Sequence, residues 1–458
     1  MMKATGAEGL IQLLERQGVR VIAGIPGGAN LPLYDALSRT TRIHHVLARH
    51  EQGAGFIAQG MARVSGRPEV CFATSGPGAT NILTAIADAK LDSVPVICVT
   101  GQVPQSLIGT DAFQEVDTYG LSIPLTKHNF LVRSAAELLE VVPAAFRIAA
   151  SGRPGPVLID VPKDVQMQSA AVDAWPEPGR ADKRPKFRPA KVERAAAMIN
   201  AARRPVLYVG GGAIQWGAGP LVTALAEKAS LPTTMTLMAL GAMPADHPLS
   251  LGMLGRHAAR FTNLALEECD LLIAVGARFD DRATGKVTEF CPNAGIVHLD
   301  IDASELSKLK HAHVGIVGDV REVLEALLPQ VDATPRHDWL ARVADLRSRH
   351  PLRLPGAADV RTPYGLVRQQ QDLFYGGRVF AADYQLHPDF VKIAEGFGMR
   401  AHDLGSAADP VVTLAAALHA PGPCLIHAPI DVNEKVYPMV PPGAANKDMI
   451  EGETCGDS

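Results

Sequence analysis

Residues 69–101, EVCFATSGPGATNILTAIADAKLDSVPVICVTG, decide the fold class. An apolar run ends in a Gly-Pro-Gly turn, and a segment with a helical pattern follows it. A second apolar run then ends at another glycine. This order of strand, turn, helix and strand is typical of the units that build parallel α/β sheets.

The same alternation continues on both sides of this stretch. Further candidate strands are VRVIAGIP and GPVLIDVP, then RPVLYVGGG, CDLLIAVGARFDD, AGIVHLDID and VGIVGD, and finally RVFAADY, MRAHDL and GPCLIHAPID. The passage AWPEPGRADKRPKFRPAK is rich in proline and charge and indicates a linker. The sequence therefore predicts α/β domains at 1–165 and 189–330 and a smaller piece at 361–458, with linkers at 166–188 and 331–360.

Length and composition restrict the class of protein. A chain of 458 residues with 47% hydrophobic and 20% charged residues is expected to form several soluble domains. A net charge of -4 without a basic run argues against nucleic-acid partners, and the longest apolar runs are too short to span a membrane. The first residues predict an amphipathic helix, not a signal peptide. Six scattered cysteines without a CxxC pair indicate reduced thiols and a cytoplasmic location.

Glu51 opens a glycine-rich apolar segment in HVLARHEQGAGFIAQGMAR, and two interpretations stay open. An acid in the first turn of a helix is stabilised by the helix dipole and needs no other role. A carboxylate in an apolar setting is also suited to chemistry. The turns GIPGGAN and TSGPGATN each follow a strand and open a helix, where an anion or ligand can approach the backbone. An ordinary tight turn is the better explanation of the first and explains the second equally well.

The second section offers a glycine turn at 210–212 and a charged segment, VGARFDDRATG, after a strand. The turn can serve as a phosphate cradle, but it is not GxGxxG, so a nicotinamide dehydrogenase is unsupported. Salt bridges explain the charges in the second segment as well as ligand contacts do. HExxH, GxSxG and Walker motifs do not occur, which removes support for a metalloprotease, a hydrolase or an NTPase.

Taken together, the motifs are far more specific than any one of them. In order, GIPGGANLPLYDAL, ARHEQGAGFIAQGMAR, TSGPGATN, IGTDAFQE, RPGPVLIDVPKDV, AVGARFDDRATG and EKVYPMVPPGAAN occur along nearly the whole chain. This pattern closely resembles the large catalytic subunit of acetolactate synthase (acetohydroxyacid synthase), a thiamine diphosphate enzyme that also binds FAD. The resemblance implies α/β domains with parallel sheets in three layers.

The resemblance also implies roles for single residues. Glu51 matches the glutamate that hydrogen-bonds to the aminopyrimidine of thiamine diphosphate and so activates the cofactor, which carries out the difficult chemistry. Gln114 and Lys163 match residues beside the reacting keto acid, and Phe113 and Gln370 match the substrate channel. The expected cofactor contacts in the first domain are Gly27, Gly28, Thr74, Pro77 and Asn81.

FAD contacts of the family map to segments that are present here, which favours the FAD-containing biosynthetic type over the flavin-free catabolic type. Glu51 argues against glyoxylate carboligase, which lacks this glutamate. The expected FAD contacts are Arg153, Gly210, Gly211, Gly212, His257, Gly276, Arg278, Asp300 and Asp319.

One departure from the family pattern changes what the chain is expected to do. Members hold the diphosphate and Mg²⁺ through a GDG motif and an NN pair in the third domain, and neither string occurs here. RTPYGL matches the opening of that domain and GLVRQQQDLFYGG matches a segment beyond the NN pair, so the break falls at Gly365 and Leu366. On the order of a hundred residues, most of a domain, are missing. We therefore expect no metal ligands, exposed apolar faces in the third domain, weak binding of thiamine diphosphate and no carboligase activity.

The resemblance further implies pyruvate and 2-ketobutyrate as substrates, branched-chain amino acid biosynthesis as the pathway, a homo-oligomer, and a small regulatory subunit. Many members carry tryptophan where Gln370 stands, so a weaker preference for 2-ketobutyrate is expected in the undeleted parent. The alternative for the chain as written is a non-catalytic protein that binds FAD or another subunit.

Overall fold

The computed structural model describes residues 2–215, 217–351, 365–379, 381–382, 388–429 and 435–451. The chain forms two compact units. The first comprises residues 1–187 with 301–304 and 317–319, and the second comprises the remainder. Among the described residues, the helices are all too short or too polar to cross a membrane.

The first unit is built on a six-stranded parallel sheet in the order β3-β2-β4-β5-β7-β6, and a separate antiparallel pair joins β1 to β8. Its strands are β1 (Met2–Thr5), β2 (Val21–Gly24), β3 (His44–Leu47), β4 (Glu69–Ala73), β5 (Val96–Gln102), β6 (His128–Leu131), β7 (Val157–Pro162) and β8 (Ser169–Val172). Its helices are α1 (Gly6–Arg16), α2 (Leu31–Ser38), α3 (Glu51–Ser65), α4 (Pro77–Leu91), α5 (Thr118–Ser122), α6 (Leu138–Ala150) and α7 (Lys163–Met167).

Helices cover both faces of this sheet. α1, α2 and α6 pack against one face and share a core with Phe72, Ile97 and Ile159. α3 and α4 pack against the other face, where Ala58 and Ile82 meet Cys71 and Cys98 of the sheet. Sheets that are buried on both sides need nearly continuous apolar strands, which is why β4, β5 and β7 were recognisable from the sequence.

The second unit contains another six-stranded parallel sheet, in the order β11-β10-β9-β12-β13-β14. Its strands are β9 (Pro205–Val209), β10 (Thr233–Met235), β11 (Ser250–Met253), β12 (Leu271–Val275), β13 (Gly295–Asp300) and β14 (Val314–Val317). The helices along this part of the chain are α8 (Pro189–Ala201), α9 (Gly211–Gln215), α10 (Gly219–Ala229), α11 (Arg260–Glu268), α12 (Asp281–Thr284), α13 (Val320–Leu327) and α14 (His337–Arg349). The α/β class and its parallel sheets are confirmed.

The last part of the chain holds far less structure. It consists of α15 (Gly365–Phe374), α16 (Phe390–Gly396), β15 (Arg400–Asp403), α17 (Pro410–His419) and β16 (Cys424–His427), and β15 and β16 form a two-stranded parallel sheet. MRAHDL and GPCLIHAPID therefore do contain strands. The described residues of RVFAADY, which are 378, 379, 381 and 382, are not in a strand, so that prediction is wrong for them, and its other residues lie outside the described part.

Candidate active site

The candidate site lies at the carboxyl edge of the first unit's sheet. Because β2, β4, β5 and β7 run parallel, the loops that follow them emerge at one edge, and this is where open α/β sheets bind ligands. The loops carry Gly27 and Gly28, then Thr74 and Pro77, then Gln114. Lys163 is the first residue of α7, directly after β7, and its side chain is partly exposed.

Glu51 and Asn81 are hydrogen-bonded to each other at this edge. Asn81 Nδ2 donates to Glu51 Oε2 at 3.0 Å; Glu51 is the first residue of α3, and Asn81 lies in the second turn of α4. The other carboxylate oxygen, Oε1, lies 3.4 Å from the position that a Cβ would occupy at Gly78. His50 caps α3 by accepting a hydrogen bond from the Gln52 amide at 3.1 Å. Asn81 thus holds one oxygen of Glu51, and the absence of a side chain at Gly78 leaves room beside the other.

Thr74 links the two glycine turns. A Cβ at Gly27 would lie 2.6 Å from Thr74 Cβ, and the Ala29 amide donates to Thr74 Oγ1 at 3.3 Å. Asn30 Oδ1 accepts from the Gly27 amide at 2.7 Å, which closes the first turn. A Cβ at Gly28, in contrast, would meet nothing within 4 Å. Gly27 is therefore required by packing between loops, while Gly28 faces open space that a ligand can enter.

Gln114 is held over the Gly-Pro-Gly turn by its own loop. It has a φ of 59°, and a Cβ at Gly76 would lie 2.6 Å from the Gln114 carbonyl oxygen. The Glu115 carboxylate accepts hydrogen bonds from the amides of Gly109, Thr110 and Ala112. These bonds lower the pKa of Glu115, the Gly109 amide contributing most.

Phe113, on the same loop, is 88% exposed, so its ring is in contact with solvent. The sequence reasoning missed Gly76 and Glu115 as residues that hold Gln114 in place. The sequence did contain a signal for Glu115: it ends the turn-like stretch GTDAFQE (residues 109–115), and an acid at the end of such a turn can accept hydrogen bonds from the turn's amides.

Asp160 is a further residue that the sequence reasoning missed. It is fully buried in β7 and accepts hydrogen bonds from Thr100 Oγ1 at 2.7 Å and from Gln102 Nε2 at 3.0 Å. Burial raises its pKa to about 7, and the two hydrogen bonds only partly oppose this shift. Gln102 Nε2 also donates to the Val116 carbonyl at 2.9 Å. Asp160 is thereby connected to the loop that carries Gln114.

In the second unit, the glycines at 210–212 are explained largely by packing of the chain on itself. A Cβ at Gly210 would lie 2.2 Å from the Gly276 carbonyl oxygen, and a Cβ at Gly212 would lie 3.0 Å from Gly276 Cα. The Gly212 amide donates to the Gly276 carbonyl at 3.1 Å, and Gly276 itself has a φ of 56°. At Gly211 the nearest atom is Met238 Cβ, at 3.2 Å. Close approach of backbone to backbone thus requires Gly210, Gly212 and Gly276 whether or not a ligand binds.

The other expected FAD contacts of the second unit are His257, Arg278 and Asp300. The carbonyl of Arg278 accepts from the hydroxyl of the fully buried Tyr208 at 2.7 Å. Burial lowers the pKa of His257, and its hydrogen bond to the Pro438 carbonyl opposes this. Its Nδ1 is buried and has no hydrogen-bond partner among the described residues. Asp300 is nearly buried, with Oδ2 3.9 Å from His298 Nε2.

Arg153 and Asp319, also expected to contact FAD, both belong to the first unit. Arg153 Nε donates to Ser93 Oγ at 2.8 Å, and its guanidinium lies 3.6 Å from the Asp302 carboxylate. Asp319 is fully buried and lies 3.1 Å from the Arg184 guanidinium.

Gln370 lies in α15, beside Gln369, and Gln369 is buried against the chain's last described segment. Gln369 Nε2 donates to the Val436 carbonyl at 3.0 Å, and the Val436 amide donates back to Gln369 Oε1 at 2.9 Å. Lys447 is paired with Glu289 at 2.7 Å, and Asn446 Nδ2 donates to the Ala283 carbonyl at 3.0 Å. The segment 435–451 is thus anchored on α12 and its neighbours.

Glu51 and Asn81 are the residues expected to contact the aminopyrimidine of thiamine diphosphate. They form a polar, hydrogen-bonded pair at the carboxyl edge of the sheet. Within residues 2–351 and the described parts beyond them, no group of three or more His, Cys, Asp or Glu side chains could hold a metal ion. The GDG and NN strings are absent from the whole sequence. The described residues therefore offer no such cluster for the cation that accompanies a diphosphate.

Three family models match successive parts of the chain. The N-terminal TPP binding domain of thiamine pyrophosphate enzymes matches residues 4–121, the central domain matches 192–327, and the C-terminal TPP binding domain matches 362–428.

Among curated relatives, the acetolactate synthase isozyme 1 large subunit of Escherichia coli K12 is 49% identical over 549 residues, covering 97% of each chain. The isozyme 2 large subunit of the same bacterium is 38% identical over 549 residues, covering 97% of this chain and 99% of its own. The acetolactate synthase large subunit of Corynebacterium glutamicum is 48% identical over 361 residues, covering 76% of this chain and 57% of its own.

The alignment with the isozyme 1 subunit is longer than the chain itself, 549 positions against 458 residues. The relative therefore carries a long stretch for which this chain has no counterpart. The C-terminal domain is short, and the sequence prediction of a deletion there is confirmed.

Proposed function

Because the chain belongs to the thiamine pyrophosphate enzymes, among the acetolactate synthase large subunits, we propose that it derives from an enzyme joining pyruvate to a second 2-keto acid and now lacks that activity. In the undeleted parent the acceptor is pyruvate or 2-ketobutyrate, and the pathway is branched-chain amino acid biosynthesis in the cytoplasm. The observation that carries the proposal is the contrast between the intact Glu51–Asn81 pair and the missing diphosphate site.

The retained half of the site supports cofactor activation. Thiamine diphosphate, when bound, supplies the carbanion chemistry of 2-keto acid decarboxylation. Asn81 fixes Glu51 Oε2, so Oε1, beside Gly78, would accept a hydrogen bond from a ring N–H of the bound cofactor. An acceptor held in a partly buried setting makes a stronger hydrogen bond than one in water. Gln114, whose backbone lies on Gly76, is the residue expected to contact the keto acid.

Loss of the diphosphate half of the site removes most of the free energy of cofactor binding. Each diphosphate oxygen needs helix-start amides or a cation to replace its water. Mg²⁺ requires carboxylate and amide oxygens, which the family supplies from GDG and NN strings that do not occur in this sequence. In the family, the third domain of one subunit completes the site with the Glu51 domain of another. An identical partner with the same deletion cannot supply it.

The first test measures thiamine diphosphate binding by titration calorimetry with and without Mg²⁺. The chain is expected to bind weakly, with the same affinity in both conditions, because it has no cation site. A clear tightening by Mg²⁺ would contradict the proposal.

The second test restores the missing stretch. The chain is assayed for acetolactate formation with pyruvate, thiamine diphosphate, Mg²⁺ and FAD, beside a version in which the corresponding segment of the E. coli isozyme 1 subunit is inserted between Gly365 and Leu366. Activity is expected only in the restored chain, and Glu51→Gln in that chain should lower kcat about a hundredfold or more. The exposed Glu140→Gln is the matched control and should not. Robust acetolactate formation by the chain without the inserted segment would contradict the proposal.

A second candidate function is a non-catalytic protein that binds FAD or another subunit. The unpartnered, buried Nδ1 of His257 supports it, because an atom of this kind indicates a polar ligand. In the second unit, His257, Arg278 and Asp300 are the residues expected to contact FAD. A yellow purified protein that loses flavin absorbance in His257→Ala, but not in His311→Ala, would favour this function for the chain as it stands. We also propose that the chain forms a homo-oligomer and binds a small regulatory subunit.

A further inference from the structure

The loop after β5, residues 103–117, carries Phe113 and Gln114, two residues that are expected to line the substrate side of the site. It is called the 103–117 loop. Residues 106–111 and Phe113 are exposed, and segments with few buried contacts open easily. A group that contacts a substrate must nevertheless be held, because a misplacement of about 1 Å can cost about a hundredfold in rate. The position of Gln114 therefore depends on how this loop is fastened to the sheet.

The start of the 103–117 loop is fastened to α7. The backbone amide and the side-chain Nε2 of Gln105 both donate to the Asp164 carboxylate, at 3.1 Å each. Asp164 directly follows Lys163, so this attachment joins the loop to the segment that carries the lysine expected beside the keto acid. Both bonds are exposed, and water competes for them.

The end of the loop is fastened by Gln102, the last residue of β5, which is 3% exposed. Gln102 Oε1 accepts from the Val103 amide at 2.9 Å, and this bond fixes the orientation of the side-chain amide. Gln102 Nε2 donates to the Asp160 carboxylate at 3.0 Å and to the Val116 carbonyl at 2.9 Å. One buried side chain thus uses both of its donor hydrogens to join the loop to β7.

This attachment requires an amide at position 102. A carboxylate there would place an acceptor against the Asp160 carboxylate and the Val116 carbonyl, and an apolar side chain would bond to neither. Asp160 is itself held by Thr100 Oγ1 at 2.7 Å, so it is a fixed point of the sheet and does not move with the loop.

From these contacts we propose that Gln102 is a positioning residue for the keto-acid side of the site. Its amide ties the end of the 103–117 loop to Asp160 and thereby sets the position of Gln114, while Gln102 itself does not touch the substrate. The consequence for the keto acid rests on the proposed function, but the attachment of the loop does not. Both tests measure the loop in the full chain without cofactor or substrate, so failure of the proposed function leaves their outcome unchanged.

The first test compares Gln102→Met with the unmodified chain by hydrogen exchange and mass spectrometry. Methionine has a similar length and cannot make these hydrogen bonds, so exchange in the 103–117 loop should accelerate about tenfold, while exchange in β4 stays unchanged. Gln59→Met is the matched control. Gln59 is also 3% exposed and donates from Nε2 to a backbone carbonyl, that of Ala85, but it lies in α3. Unchanged loop exchange in Gln102→Met, or an equal acceleration in Gln59→Met, would overturn the proposal.

The second test separates the loop attachment from the buried pair. Gln102→Glu alone sets two carboxyl groups against each other, so it should lower the free energy of unfolding and release the loop. When Asp160→Asn is added, the new amide at position 160 can donate to the new carboxylate, which restores the buried bond with donor and acceptor exchanged.

The Val116 carbonyl still lacks its donor at position 102 in this double variant. Urea unfolding should therefore show recovered stability, while exchange in the 103–117 loop stays about tenfold faster than in the unmodified chain. If loop exchange returned to its original rate together with the stability, an intact core would be sufficient to hold the loop, and the proposed role of the Gln102 amide would be wrong.

Discussion

The backbone of Gln114 lies directly on Gly76, so that a Cβ at Gly76 would come within 2.6 Å of the Gln114 carbonyl oxygen. Both residues have positive φ, 59° at Gln114 and 53° at Gly76. The contact joins the Gly-Pro-Gly turn after β4 to the loop after β5. The conformation of one loop therefore sets the position of the other, and with it the position of Gln114.

Replacing Gly76 by alanine is expected to destabilise the first unit by about 2 kcal/mol or more, because the backbone conformation is costly for a residue with Cβ and the Gln114 backbone must also move. Urea unfolding measures the loss. Hydrogen exchange should also accelerate at the amides of Gly109, Thr110 and Ala112, which the loop now protects through Glu115. Gly28→Ala is the matched control, since a Cβ there meets nothing within 4 Å. Equal effects of the two substitutions would contradict the assigned contact.

Asp160 should make the stability of the chain depend on pH in an unusual direction. Its pKa is raised from 3.8 to about 7 by burial, so the folded state keeps a proton that the unfolded state has already released. Between about pH 4 and pH 7 the unfolded state binds fewer protons, and the free energy of unfolding must fall as pH rises, by about 1.4 kcal/mol per pH unit for one proton. Above pH 7 this contribution is constant.

The measurement compares urea unfolding of the unmodified chain and Asp160→Asn at pH 5, 6, 7 and 8. Asparagine cannot ionise, so the stability of the unmodified chain relative to the variant should decrease from pH 5 to pH 7 and then level off. A relative stability that is flat or rises over this range would show that Asp160 is ionised in the folded protein.

The sequence made the parallel sheets predictable where strands are apolar on both sides, as in β4, β5 and β7. It did not reveal β3 (HHVL) or β6 (HNFL), because these strands stand at the sheet edges, where burial on both faces is not required. Glu51 and Asn81 were expected near the same cofactor, and they are hydrogen-bonded. Asp160 was not foreseen, because its partners Thr100 and Gln102 belong to another strand. The turn at 210–212 was read as a possible phosphate cradle, whereas Gly210 and Gly212 pack on Gly276, about sixty-five residues later in the chain, a pairing that only the fold brings together.

Arg336 is the clearest structural residue of the second unit. It is nearly buried, and its guanidinium donates to the carbonyls of Ile199 at 2.6 Å, Ala202 at 3.1 Å and Ala229. These carbonyls end α8 and α10, where the helix dipoles favour a positive charge. Burial lowers the pKa of Arg336, and Asp270 opposes the shift. The planar guanidinium donates in several directions, so one side chain caps the carboxyl ends of two helices.

Arg336→Met is therefore expected to lower the free energy of unfolding by about 3 kcal/mol, because three buried carbonyls lose a charged donor at once. Arg336→Lys should recover only part of this, since a single ammonium cannot reach both helix ends. Urea unfolding measures both variants. Arg349→Met is the control: its ion pair with Asp345 is mostly exposed, so its loss should cost about 0.5 kcal/mol or less. If Arg336→Met cost no more than Arg349→Met, the three hydrogen bonds would not be holding α8 and α10 together, and other contacts, such as the apolar core around Trp339, would stabilise the second unit.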